Sequence, residues 1–121
     1  YRRSIYHQNV RASRVDLISD FDSPDCALSE PRRVTTTSPL QALTLMNHQF
    51  TLDVAHALGE RITERAAHEP ETALSTLAFE LMFSRRPTPF EIRACEELTD
   101  EHGLDALLRT LLNTNEFIYI N

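Results

Sequence analysis

Lysine is absent from the 121-residue chain: all twelve basic residues are arginine, set against eighteen acidic ones. The net charge of −6 removes the cation excess that a general nucleic-acid binder needs to displace phosphate counterions, so nucleic acid is not an expected partner. Arginine as the sole long cation favours planar, bidentate contacts with carboxylates and oxyanions, although a coding bias would give the same count. Cysteine is scarce as well. Cys26 and Cys95 stand far apart, in neither CxxC nor CxxCH context, which removes the spacings that signal zinc, a thioredoxin-type pair or covalently attached haem. They are expected as unpaired thiols, since a disulfide between them would need an oxidising compartment and suitable geometry. No apolar run approaches the roughly 18 residues that span a bilayer, and no stretch resembles a signal peptide.

What is present suits a folded domain. A hydrophobic share of 41% with 25% charged residues lies well away from disordered composition. The length fits a single helical domain over 1–121 with a modest core. The first residue is Tyr1 rather than methionine, so the chain is expected to be a piece of a larger protein.

Residues 1 to 14 carry no helical stripe and are expected to be irregular, "VDLISDF" at 15 to 21 suits a short helix or turn, and "DSPDCALSEPRR" reads as a loop. Ser38-Pro39-Leu40-Gln41 then combines an N-cap serine, proline at N1 and glutamine at N3, which predicts a helix over 39 to 46. Asn47 can end that helix or start the next. From His48 to about Ala67, Phe50, Val54, Leu58 and Ile62 recur every four residues, flanked by Ala55 and Ala66 and opposite Asp53, His56, Glu60 and Glu64, predicting a long amphipathic helix. Pro70 interrupts it. Leu74, Leu77, Ala78, Leu81 and Met82 mark another helix, which Phe79 and Phe83 should make the most buried. Thr88-Pro89-Phe90-Glu91 repeats the cap logic and opens a helix with Ile92, Cys95, Leu98 and His102 on one side, stopped by Gly103. Leu104, Leu107, Leu108, Leu111 and Leu112 form the stripe of a last helix, and "NEFIYIN" is expected as an extended tail. The expected fold is therefore all-α: a compact bundle of about five helices with an irregular N-terminal segment and an extended C-terminal tail.

The segments "RRSIY", "FDSPD", "RRVTTTSPLQALTLMN", "FELMFSRRPTPFE" and "LLNTNEFIYI" occur in an order that resembles a planctomycete-specific family of uncharacterised domains, over residues 2 to 120. The resemblance implies that the chain is the C-terminal part of a longer domain. It also implies an exported parent protein that carries a c-type cytochrome domain, with any haem held there and none in this chain. The remainder of the parent protein is the partner so implied. The family contributes no catalytic residues.

Several constellations have both a functional and a plain reading. Arg32 and Arg33 supply forked donors, Thr35, Thr36, Thr37 and Ser38 supply hydroxyls, and the helix start at Pro39 adds free N–H groups, a set suited to sulfate, phosphate or an acidic glycan. The plain reading has Ser38 capping the helix and the arginines paired with Asp22, Asp25 or Glu30. Asp20, Asp22 and Asp25 offer hard oxygen ligands but lack the glycine and distal glutamate of a calcium loop, and turn formation explains them. Asp53 and His56 resemble half of a di-metal site without the second copy it requires, so no metal is expected. His102 complements a helix C-terminus, and Met46 and His48 as haem ligands lack the CxxCH that would support them. Neither a GxSxG elbow nor a P-loop occurs, and Cys26 has no neighbouring base, so no catalytic residue is assigned. Two functions follow as expectations: a structural or interaction module of an exported, cytochrome-associated protein, or a ligand-binding or catalytic part of an extracytoplasmic enzyme acting on acidic or sulfated substrates.

Overall fold

The computed structural model describes residues 20–22 and 38–119. Among them are six helices and no strand: α1 (Pro39–Asn47), α2 (Gln49–His68), α3 (Leu74–Phe83), α4 (Pro89–His102), α5 (Leu104–Leu112) and α6 (Asn115–Ile118). The chain forms two compact units, 1–44 and 45–121, and α2 to α6 belong wholly to the second.

Both capping boxes form as their sequences require. The Ser38 backbone N–H donates to Gln41 Oε1 (3.0 Å) and the Gln41 N–H to Ser38 Oγ (3.3 Å). At α4 the Thr88 N–H donates to Glu91 Oε2 (2.7 Å) and the Glu91 N–H to Thr88 Oγ1 (3.3 Å). Each pair satisfies two backbone groups that a helix start would otherwise leave open. At the junction of α1 and α2, His48 rather than Asn47 is the N-cap, its Nδ1 accepting the Phe50 N–H at 3.1 Å. Gly103 closes α4 and precedes α5 with φ 84° and ψ 168°. Only glycine adopts that conformation without strain.

The helices α2, α3, α4 and α5 pack in a ring, each against the next and α5 back against α2. Their shared core holds Ala55, Ile62, Leu77, Ala78, Phe79, Cys95, Leu107, Leu108, Leu111 and Leu112. Only Leu74 is exposed in α3, and α5 contributes four buried leucines. Cys95 is a buried free thiol whose pKa is raised, first by desolvation and then by the charges of Glu91 and Glu96.

Two expectations are corrected in part. Of the apolar face expected on α2, Ala55 and Ile62 are buried and Val54, Leu58 and Ala66 pack half-buried against the core, but Phe50 is exposed, and Thr51 and Gly59 complete the buried face. Small residues let α5 approach closely: a Cβ added at Gly59 would lie 3.0 Å from Asp105 Oδ1 and 3.6 Å from Leu108 Cδ1. A larger stripe on that face would hold the two helices apart. Residues 115–118 of the tail are not extended but form α6, with the Phe117 and Ile118 N–H groups bonded to the Thr114 carbonyl and that of Tyr119 to the Asn115 carbonyl. A long-range ion pair, described below, stabilises this turn against its strand-like composition.

Ser84, the C-cap of α3, takes the left-handed conformation (φ 57°, ψ 27°), with its N–H bonded to the Glu80 carbonyl. A side chain in that region is strained where glycine is not. Ser84→Gly is expected to raise stability by roughly 0.5 to 1 kcal/mol, read as a higher urea midpoint at unchanged slope.

Candidate functional site

The turn after α3 aims Arg85 back across the bundle end, and every donor of its guanidinium is engaged. Its Nε donates to Glu116 Oε1 (2.6 Å) and Nη2 to Glu116 Oε2 (2.7 Å) and Glu91 Oε1 (2.7 Å). Nη1 donates to Glu91 Oε2 (3.0 Å) and to the Arg86 carbonyl (3.2 Å). These five bonds use all five N–H groups of an arginine, so none is left over for an outside anion. The cation also lies 5.0 Å from the ring centre of Phe79 and 5.8 Å from that of Phe83, rings that meet edge to face at 5.1 Å. One residue thus ties the end of α3, the start of α4 and α6 together.

The electrostatics follow from this geometry. The Arg85 pKa is raised, first by hydrogen bonds to Glu116 and then by those to Glu91. Glu91 falls from 4.5 to about 2, chiefly through Arg85 and then through the Thr88 N–H, and Glu116 is lowered by Arg85 as well. A carboxylate depressed in the folded state binds protons first in the unfolded state. Its contribution is complete above pH 4.5 and disappears as the pH falls toward about 2. Urea midpoints measured across that window should fall more steeply for the wild type than for Glu91→Gln, and the two curves should converge at the acid end.

Beside this cluster an open groove is lined by Met82, Phe83, Ser84, Asn115, Glu116, Phe117 and Tyr119. Phe117 is 43% and Tyr119 47% exposed. Further ion pairs join Arg65 to Glu69 (3.1 Å) and Glu80 (3.4 Å), and Arg86 to Glu80 (3.6 Å).

Few of the residues singled out in the sequence fall among the described ones at this site. Arg32, Arg33, Thr35, Thr36 and Thr37 lie outside the described residues, as do Asp25, Cys26 and Glu30. Ser38 takes part in the capping box of α1. Asp20 Oδ2 accepts a bond from the Thr44 hydroxyl at 2.6 Å. Asp53 and His56 turn to different partners: Asp53 Oδ1 accepts from Gln49 Nε2 (2.8 Å), and His56 Nδ1 faces Asp105 Oδ2 (3.3 Å). Among the described residues no three metal-ligating side chains converge. His102 ends α4 and is exposed.

Residues 1–99 match the family described as PSD1, protein of unknown function (DUF1553). The chain belongs to the DUF1553 family. The matched region contains Arg85 and Glu91, whereas Glu116 and the rest of α6 follow it. Curated proteins and solved structures returned no match. No helix among the described residues is long and apolar enough to cross a membrane.

Arg85 carries no signal of its own in the sequence, because Glu116 is 31 positions away. The available sign was the run "SRRPTPFE", where an arginine stands six positions before a capping-box glutamate whose second oxygen can be shared.

Proposed function

We propose that this chain is a helical interaction module of a larger exported, cytochrome-associated protein of planctomycete type, and that it docks onto another part of that protein through the groove between α3 and α6. The supporting observation is the exposure of Phe117 and Tyr119 beside Met82 and Phe83. Aromatic and methionine side chains are the types enriched where proteins meet. Export and the cytochrome connection rest on the resemblance of the sequence motifs, with the c-type haem placed in a separate domain. Arg85 organises structure here, its donors taken up by carboxylates and a carbonyl.

Docking stabilises whatever it engages. The unit should therefore unfold at a higher temperature within the longer protein than as residues 1–121 alone, and Phe117→Ser with Tyr119→Ser should remove that increment while leaving the isolated chain nearly unchanged. Equal unfolding temperatures in the two settings would rule the proposal out.

A further inference from the structure

We infer that the start of α3, at the other end of that helix from the groove, binds a tetrahedral oxyanion such as phosphate or sulfate. The helix begins without a cap of its own. Ala73 is the N-cap residue and offers no side-chain acceptor, and no acidic residue stands in the first turn. Among the described residues the N–H groups of Ala73, Leu74 and Ser75 find no acceptor, whereas those of Thr76 and Leu77 bond the Ala73 carbonyl at 2.9 and 3.2 Å. The helices α1 and α4 meet the same need with capping boxes. Free amides at a helix start carry the positive end of its dipole, and α3, with 10 residues, is long enough to develop one.

Ser75 is the independent sign that something is meant to bind there. It is 5% exposed, and its hydroxyl is sealed from solvent with no hydrogen-bond partner. The usual bond of a helical serine, to a carbonyl three or four residues earlier, is not made. An unpaired buried hydroxyl is costly, and native folds keep few of them. Ser75 is the second residue of α3, so its Cα–Cβ bond tilts toward the helix N-terminus and carries the hydroxyl toward the free amides. Thr72 and Thr76 are half-buried on either side of it in sequence, and their hydroxyls make no hydrogen bond among the described residues. Amides in a row together with hydroxyls before and within the first turn call for acceptor oxygens on several sides, which a tetrahedral anion has and a planar carboxylate lacks. The nearest acid in sequence, Glu71, is exposed and its carboxylate pairs with no described residue, so the chain does not fill the position itself.

Titrating the 121-residue chain with inorganic phosphate, against sodium chloride of equal ionic strength, tests the site by amide NMR. The groove takes no part, so the outcome is separate from that of the docking reading. The Ala73, Leu74 and Ser75 resonances should move saturably with phosphate and not with chloride, and acetate should bind more weakly. Ser75→Ala should weaken phosphate binding roughly fivefold. Ala73→Asp gives the helix a carboxylate cap of its own, and it should weaken phosphate binding roughly tenfold while raising the urea midpoint. A wild-type response no larger than that to chloride would overturn the inference. So would acetate binding as tightly as phosphate, Ser75→Ala binding as the wild type does, or phosphate shifts that persist unchanged in Ala73→Asp.

Discussion

Leu108→Ala is expected to lower the unfolding free energy by about 3 kcal/mol. Leu108 is fully buried, and its Cδ1 faces the backbone of α2 where Gly59 permits the closest approach. Removing its branched end forfeits apolar burial and leaves a cavity between α2 and α5, the most extensive helix pairing in the bundle. Neither helix can collapse into that space freely, because Ala55, Leu107 and Leu111 are already packed around the same core. The check is a urea titration in which the midpoint drops at constant slope. Phe90→Ala is the matching control: Phe90 is 74% exposed on the first turn of α4, and its loss should change stability by less than about 0.5 kcal/mol.

Arg85→Ala comes next, with an expected loss of about 2 kcal/mol after allowance for solvent screening of its partly exposed carboxylate pairs. The substitution removes the five donated bonds and the cation over two aromatic rings together. It also leaves Glu91 and Glu116 near each other without the intervening positive charge. Two consequences separate this from ordinary loss of packing. The Glu91 carboxyl should titrate upward from about 2 toward its ordinary 4.5, visible by side-chain NMR. Arg85→Lys should recover only part of the loss, because an ammonium cannot fork two carboxylates at once. Full recovery with lysine would show that charge alone, not the planar geometry, holds the contact.

Local chemistry made much of the fold legible. Ser38 with Gln41 and Thr88 with Glu91 are four-residue signals whose hydrogen bonds close within one turn, so they form wherever the chain permits a helix. The α5 leucines form so strong a stripe that their burial follows from period alone. The face of α2 was harder to read, because two adjacent ridges compete there. Hydrophobic weight points to Phe50, Val54 and Leu58, but close packing with α5 selects Ala55 and Gly59, and small size carries no periodic signal. The tail was misread for a related reason. Its composition of Phe117, Ile118 and Tyr119 favours a strand, whereas the contact that fixes Glu116 within the helical turn comes from Arg85, 31 residues earlier.

The candidate site was legible only in part. The residues expected as an anion site, Arg32, Arg33, Thr35, Thr36 and Thr37, lie outside the described residues, and Ser38 is placed as a helix cap. The groove drew no attention in the sequence because its walls come from separated segments, Met82 to Ser84 and Asn115 to Tyr119. The features that bring those walls together are the αL turn at Ser84 and the fork of Arg85. Both depend on tertiary structure, and neither is apparent as a stretch of adjacent residues.

The central claim is that the groove between α3 and α6 is where this module meets the rest of its protein. Comparing amide hydrogen exchange in residues 1–121 alone with the same residues inside the longer protein tests it most directly. Docking predicts slower exchange in the longer protein at residues 82–86 and 114–119, with little change on the exposed face of α2 around His56 and Glu60, which does not line the groove. Protection confined to other surfaces, or none at all, would contradict it.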